Sequence, residues 1–317
     1  MKMKIIRSEY FGIQRKMVAS ITSESWKNVP HAAFMYEPRV DKLFDEYKKL
    51  NGKRSPEDKI TFNTVMLRVI VEGIKAAPEM NAHIRFDDRR LVGRVDIFEN
   101  INISMTTILP NGEMMTTNLR DFQEKNIDQM SSYIKDLRER AAKSNLTEAM
   151  YRVSFNKTLE TIKHGKLLQA GLRILCAKTG KYPVKHLKGK EKREYYKIPE
   201  TERLGDKDLE QGTITVSNVG SLYLQQRGAV SLLEIIPPQV CVLGLGAVQE
   251  KPVVEEVDGK KQVGIGKILP ICIAFDHRAI DMGETIPFIK KLDEIFENPE
   301  IIRQWVDEDK NTSAKTV

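Results

Sequence analysis

The chain turns on one stretch near its C-terminal end, Pro270-Ile-Cys-Ile-Ala-Phe-Asp-His-Arg-Ala-Ile-Asp-Met-Gly283. Ile271 to Phe275 is a compact apolar run that reads as a buried strand. It ends abruptly in Asp276, His277 and Arg278, and a second carboxylate, Asp281, follows on the next turn. Gly283 and Glu284 then open an amphipathic helix with Ile286, Ile289, Leu292, Ile295 and Phe296 on one face. Packing fixes the backbone on both sides of such an elbow while the elbow itself stays reachable. His277 is the only histidine flanked directly by charged side chains at the end of such a run. Imidazole is also the side chain best suited to moving a proton near neutral pH. Plainer readings exist: His277 as a polar rim residue, Asp276 and Arg278 as a surface pair of little energetic weight. His277 and Asp281 also have the spacing of two metal ligands on one helical turn, but no convincing third ligand accompanies them.

The 317 residues, 41% of them hydrophobic, suffice for one large domain or two small ones. The net charge of +7 comes from interspersed signs, and no basic stripe with interleaved aromatics points to nucleic acid. A modest positive field suits an anionic small molecule such as a nucleotide-containing cofactor. No apolar segment follows the N-terminal Met1-Lys-Met-Lys, and none is long enough to span a bilayer, so neither a signal peptide nor a membrane anchor is expected. Cys176, Cys241 and Cys272 are far apart and form no Cys-x-x-Cys pair; a reducing, cytoplasmic setting is the simplest reading.

In chain order, the patterns predict helices over Phe11–Trp26, Val40–Leu50 and Phe62–Ala77, the last stopped by Pro78. Strands are predicted over Ala32–Tyr36, Ala82–Phe86, Leu91–Ile97, Asn102–Leu109 and Glu113–Thr117, with a turn at Pro110-Asn-Gly112. Leu119–Lys143 reads as a long charged helix. Leu146–Glu210 reads as an insertion that begins helically and turns basic in Lys185-His-Leu-Lys-Gly-Lys-Glu-Lys-Arg193, a solvated surface loop or a docking surface for a partner or acidic ligand. Beyond it lie β-rich runs at Gly212–Val219 and Val240–Gly246, and a hairpin over Val253–Val263 around Asp258-Gly259. Helices follow over Glu284–Glu297 and, after Asn298-Pro299, to Trp305; the tail from Asp307 is polar. Gly244-Leu-Gly246 and Gly264-Ile-Gly266 lack the third glycine of a dinucleotide fingerprint, and no phosphate-binding Gly-x-x-x-x-Gly-Lys-Ser/Thr loop occurs.

Three segments then stand in order: Thr213-Ile-Thr-Val-Ser-Asn-Val-Gly220, Pro237-Pro-Gln-Val-Cys-Val-Leu-Gly-Leu-Gly-Ala247 and Phe275-Asp-His-Arg-Ala-Ile-Asp281. Order and spacing resemble the catalytic domain of the dihydrolipoyl acyltransferases of 2-oxo-acid dehydrogenase complexes, with chloramphenicol acetyltransferase a more distant likeness. Gln14 to His31, with its Arg-Lys helix and Val-Pro-His, together with Lys59-Ile-Thr-Phe-Asn63 and Ala77-Pro-Glu-Met-Asn81, is similar to that family too. Each motif alone is weak; four in the right order are specific. The resemblance covers nearly the whole chain outside the Leu146–Glu210 insertion and implies one α/β catalytic domain over 1–317. That domain would be α+β in two layers, a chloramphenicol acetyltransferase-like mixed sheet with helices packed on one face and the active site at a trimer interface.

The resemblance implies acyl transfer, with His277 as the general base that deprotonates the attacking thiol. Ser217, from the neighbouring subunit, would donate its hydroxyl to the tetrahedral oxyanion, and Asp281 would hold the elbow and the ring orientation. Arg15 is the family match for the charge partner of Asp281, with an exposed helix residue as the plain alternative. Asn218 would bond the strand end, Asp276 and Arg278 would support the elbow, and His31 carries no assigned chemistry. Coenzyme A would serve as acyl-coenzyme A substrate, with its binding residues undefined. No bound metal, nucleic acid or membrane is implied. Partners would be a homotrimer and either a separate lipoyl carrier protein or a small-molecule acceptor, with no covalent lipoyl group on this chain, since no lipoyl domain precedes the catalytic part. The chain departs from the family at Met282, where the family has glycine, and at Glu113-Met-Met-Thr-Thr117, which replaces a Gly-Leu-Ile-x-Pro-Val run. A glycine-requiring backbone at Met282 would strain the elbow. The alternatives are a non-catalytic trimeric scaffold that uses the basic insertion to bind a partner and, ranked last, an antibiotic O-acetyltransferase.

Overall fold

A computed structural model describes residues 4–52, 54–108, 114–163, 171 and 186–306. The expected turn at Pro110-Asn-Gly112, Cys176, the Lys181–Lys185 part of the basic segment and the tail from Asp307 lie outside the described residues.

Six strands form one mixed sheet in the order β1 (His31–Tyr36), β10 (Ile271–Asp276), β7 (Cys241–Leu245), β6 (Ile214–Asn218), β4 (Ile103–Ile108), β5 (Met114–Leu119). The β7–β6 and β6–β4 pairs are parallel; β1–β10, β10–β7 and β4–β5 are antiparallel. β7 and β10 are buried along their whole length, which is why they appear in the sequence as continuous apolar runs and not as alternating ones. Two separate hairpins complete the strands: β2 (Ala82–Asp87) with β3 (Val92–Ile97), and β8 (Gln249–Val257) with β9 (Lys260–Ile268). The second turns at Asp258 and Gly259, both with positive φ (52° and 71°), the two-residue turn that an Asp-Gly pair favours.

One face of the sheet carries the main helical layer. Helix α3 (Phe62–Ala76) is capped by Thr61, whose hydroxyl accepts the Thr64 N–H at 3.1 Å, and it buries Val65 through Val71 nearly without interruption apart from Arg68. It packs against the last helix (Met282–Glu297). That helix starts two residues before the expected Glu284, and its buried positions are Thr285, Phe288, Leu292, Ile295 and Phe296, while Ile286 is 42% exposed. Leu292, Ile295 and Phe296 are buried as the pattern predicts and Ile289 packs on the core; only the first turn differs, where Thr285 and Phe288 face inward and Ile286 does not. Alternate residues of the strands, such as Ile103, Met105, Ile214, Val216 and Leu243, join the same core.

The opposite face is covered differently. Helix α1 (Ile13–Asn28) lies there, touching α5 (Leu146–Lys163). Buried Ser25 donates its hydroxyl to the Ile235 carbonyl at 2.7 Å, and Val29, Ile235, Val242, Cys272 and Ala274 make a small second core.

The predicted helix over Leu119–Lys143 divides. Residues through Leu119 belong to β5, Asp121 takes a left-handed conformation (φ 54°), and the helix itself, α4 (Ile127–Lys143), begins only after Asn126. Asn126 sets that start: its Oδ1 accepts the Gln129 N–H at 2.8 Å and its own N–H reaches Gln129 Oε1 at 3.0 Å, a reciprocal cap. Both ends of the stretch read as an insertion pack into the body. Glu148 is wholly buried, with Lys192, the Tyr196 hydroxyl and the Leu187 N–H around it, and Arg203 and Leu204 are buried as well.

Candidate active site

Strand β10 delivers the elbow. Asp276, its last residue, is completely buried, and its carboxylate is saturated by one neighbour: Oδ1 accepts the Arg278 backbone N–H and Nε, each at 3.0 Å, and Oδ2 accepts Arg278 Nη2 at 2.6 Å. The Asp276 carbonyl then accepts the Ala279 and Ile280 N–H groups, curling the chain into a turn. The His277 N–H donates to the Pro30 carbonyl at 3.1 Å, which ties the elbow to the start of β1. Asp276 and Arg278 are therefore a structural clamp that sets the direction of the residue between them.

The side chain of His277 is 58% exposed, and its Nδ1 lies 2.9 Å from Asp281 Oδ1. An ionised carboxylate can only accept, so in the neutral ring the proton sits on Nδ1 and the Nε2 lone pair is free. Asp281 caps the last helix, and its own N–H donates to Glu284 Oε2 at 2.9 Å. Met282 opens that helix without a positive φ, and the Thr285 hydroxyl donates to its carbonyl at 2.8 Å. The position makes no demand that only glycine meets, so the elbow carries no strain from this departure.

Arg15 lies on the exposed side of α1 and makes no ion pair among the described residues; the carboxylate of Asp281 faces His277 instead. His31 is a fixed structural element. Its Nδ1 donates to the Val29 carbonyl at 2.8 Å and its Nε2 accepts the Ile235 N–H at 3.1 Å.

Ser217 lies on β6, on the face opposite the core residues Ile214 and Val216. Directly across on β7 stands Gly244, where an added Cβ would lie 2.6 Å from Leu233 Cδ1. Asn218 turns to the other side: its amide donates to Asn63 Oδ1 at 2.6 Å, fastening the end of β6 to the first turn of α3, and its Oδ1 accepts the Ser221 N–H. Gly220 ends the motif because the chain passes too close for a side chain; a Cβ would sit 2.3 Å from the Ala247 nitrogen.

Ser217 opens into a cavity of about 730 Å³ between α1, α5 and the sheet. Thr106, Thr116 and Thr215 add hydroxyls to the sheet wall, while Met17 and Ile21 of α1 and Met150 of α5 face them. His277 does not line this cavity. Sequence reading missed the cavity, although its signal was present: on β4 and β6, hydroxyl residues (Ser104, Thr106, Thr215, Ser217) alternate with apolar ones (Ile103, Met105, Ile214, Val216). Among the described residues no group of three His, Cys, Asp or Glu side chains is arranged to hold a metal, and no helix is long and apolar enough to cross a membrane.

Comparison with known proteins places these features in a family. The profile described as "2-oxoacid dehydrogenases acyltransferase (catalytic domain)" matches residues 5–155 and 190–303. Both flanks of the expected insertion, including the buried Glu148 and Arg203, lie within the matched segments. The dihydrolipoyllysine-residue acetyltransferase component of the pyruvate dehydrogenase complex of Rickettsia bellii is 23% identical over 91% of this chain and 52% of its own length. The mitochondrial counterpart of Schizosaccharomyces pombe is 23% identical over 90% of this chain and 44% of its own. The chain thus spans about half the length of these curated relatives. Among solved structures, the cubic core of the pyruvate dehydrogenase multienzyme complex superposes with a TM-score of 0.62 at 17% identity, covering 94% of each chain. The dihydrolipoamide acetyltransferase of Azotobacter vinelandii gives 0.61 at 17% identity over the same shares. At these identities the superpositions show the fold.

Proposed function

The chain belongs to the 2-oxoacid dehydrogenases acyltransferase family, whose catalytic-domain profile it matches over most of its length, and from that premise we propose that it transfers an acyl group from coenzyme A to a second thiol. The observation that carries this reading is the His277–Asp281 contact of 2.9 Å at the end of a buried strand, which engages Nδ1 and leaves Nε2 as the ring atom that can accept a proton. A thiol is mostly protonated at neutral pH, so its attack on a thioester needs a base at hand. In this reading His277 Nε2 takes the proton from the acceptor sulfur, and that sulfur bonds to the thioester carbon. The tetrahedral oxyanion takes a hydrogen bond from Ser217, worth on the order of 3 kcal/mol in comparable sites. The carbon–sulfur bond of coenzyme A then breaks, and the departing sulfur takes the proton back from His277.

Within one chain Ser217 faces a cavity that His277 does not line. The reading therefore assigns the two groups to adjacent copies of a trimer, each contributing one of them. A neighbour in fold forms a cubic core, which supports higher assembly. The Azotobacter protein has been examined for the role of a serine, a histidine and an asparagine four residues beyond that histidine in its catalytic mechanism. This chain has a serine and a histidine, and the same spacing puts Asp281 at the third place. The acceptor is proposed to be a dihydrolipoyl-type thiol on a separate carrier or a small molecule, as the names of the relatives suggest. Buried, unpaired Cys241 and Cys272 support a reducing compartment, for which we propose the cytoplasm.

Purified protein given acyl-coenzyme A and dihydrolipoamide is expected to release coenzyme A. His277→Ala should lower kcat at least about 100-fold, the lower range for a positioned general base. Turnover that survives this substitution overturns the reading.

A further inference from the structure

The cavity beside Ser217 has a size and lining that bear on which acyl group is handled, a question that rests on the acyl-transfer reading above. At about 730 Å³ it lies in the range of sites that enclose a small organic molecule. An acetyl group attached to a carbonyl at Ser217 would leave nearly all of it empty. Apolar side chains reach it from several elements, among them Met17 and Ile21 from α1, Met150 from α5 and Leu233 from the long β6–β7 connection. Methionine side chains adapt to the shape of an apolar guest. Charge discriminates further. Glu210 and Glu234 line the cavity, Asp206 does too but is held by Arg152 at 2.6 Å, and no Lys, Arg or His is among the described lining residues. A carboxylate entering this space would lose water and meet like charges, with no cation among the described lining residues to receive it.

We propose that this cavity receives the acyl chain of the thioester, and that the preferred acyl group is neutral, apolar and larger than acetyl, with dicarboxylic groups such as succinyl excluded. Ser217 stands at the cavity wall, so a chain extending from the carbonyl whose oxyanion it serves enters the cavity directly. The hydroxyls of Thr106, Thr116 and Thr215 lie along the sheet wall, and the apolar chain runs against the methionine wall opposite.

Two measurements on the full chain test this. In titration calorimetry without acceptor, hexanoyl-coenzyme A is expected to bind at least tenfold more tightly than acetyl-coenzyme A, each buried methylene contributing up to about fourfold. Succinyl-coenzyme A should bind no more tightly than coenzyme A itself. In turnover with dihydrolipoamide, kcat/KM should rise from acetyl through isovaleryl to hexanoyl. Met17→Trp should cut the hexanoyl-to-acetyl ratio of kcat/KM at least tenfold, and Met150→Phe is the second variant should the first fail to fold. Equal binding of acetyl and hexanoyl thioesters, or succinyl as the best ligand, overturns the proposal. Chain-length-dependent binding without turnover of any thioester would retain the cavity assignment and overturn the acyl-transfer reading instead.

Discussion

The carboxylate of Asp276 and the guanidinium of Arg278 hold each other two residues apart, with the buried Oδ2 only 2.6 Å from Nη2 and Oδ1 shared between Nε and the Arg278 backbone N–H. His277 sits between them, so the pair sets the direction in which the imidazole leaves the sheet. Asp276 is fully buried, and its side chain has no water to replace a lost partner. Asp276→Asn keeps the shape but breaks a charge-assisted fork, and removal of one member of a buried pair costs about 3 kcal/mol. The expected outcome is a fall in the urea midpoint and, at temperatures where the variant is folded, a loss of kcat with KM little changed. A variant as stable and active as the parent would show that the pair does not set the elbow.

Asp281 works on the imidazole from the other side. A carboxylate and a carboxamide oxygen both accept the Nδ1 proton, and a methyl group does not. Asp281→Asn is therefore expected to keep kcat within about tenfold of the parent, while Asp281→Ala falls further because the ring loses its preferred tautomer. The check is kcat for both variants against the parent across neutral pH. Equal losses for Asn and Ala would indicate that the negative charge, and not the acceptor atom, is what the site uses.

Much of this was legible from residue types, for reasons that can be named. The runs at Cys241–Leu245 and Ile271–Phe275 read as strands because both faces are covered, leaving no polar alternation to confuse them. Asp258-Gly259 marked its hairpin because both residues need positive φ. Local chemistry was less visible where a cap or a partner far along the chain decides the outcome. The start of α4 depends on the Asn126–Gln129 exchange, which overrides a helical pattern that reaches back to Leu119. The buried face of the last helix depends on Phe288 meeting Gly73 of α3, more than 200 residues earlier. The cavity is a property of three layers brought together and has no single motif, although the alternating hydroxyls of β4 and β6 were half of its signature. The role of Arg15 was read from resemblance, and within one chain nothing brings it to Asp281, whose carboxylate His277 already engages.

His83 carries a pH dependence separate from the active site. Burial pushes its pKa below the ordinary value of 6.5, more strongly than the hydrogen bond from Nε2 to the Gly212 carbonyl raises it. The unfolded chain therefore takes up this proton at a higher pH than the native protein does. Stability from the neutral ring is present above about pH 6.5 and is lost as pH falls below it. Burial pushes Glu148, Asp41 and Glu46 up, but their hydrogen bonds and neighbouring cations together outweigh it and hold all three below the ordinary 4.5, 3.8 and 4.5, so their losses begin only below those values. The urea midpoint of the parent is expected to drop between about pH 7.5 and about pH 5.5, and His83→Gln should flatten that drop. An unchanged slope in the variant would assign the dependence to other groups.

Gly73, in the last turn of α3, sets two tendencies against each other. In an exposed helix, alanine is more favourable than glycine by about 1 kcal/mol. Here a Cβ would stand 2.6 Å from both Leu292 Cδ1 and Phe288 Cδ2, side chains that are themselves completely buried against the core. Overpacking of that kind costs about 1–3 kcal/mol, so it outweighs the propensity gain. Gly73→Ala is therefore expected to lower the urea midpoint, against the usual direction for this substitution in a helix. Leu292→Val alone should also destabilise, by about 1 kcal/mol for the lost packing. In the double variant the shortened side chain relieves one of the two close contacts, the other being with Phe288, and the combined loss should be less than the sum of the separate ones. A strictly additive double variant, or a stabilising Gly73→Ala, would mean that the α3–last helix contact gives way without cost and that glycine is not required for the close approach of the two helices.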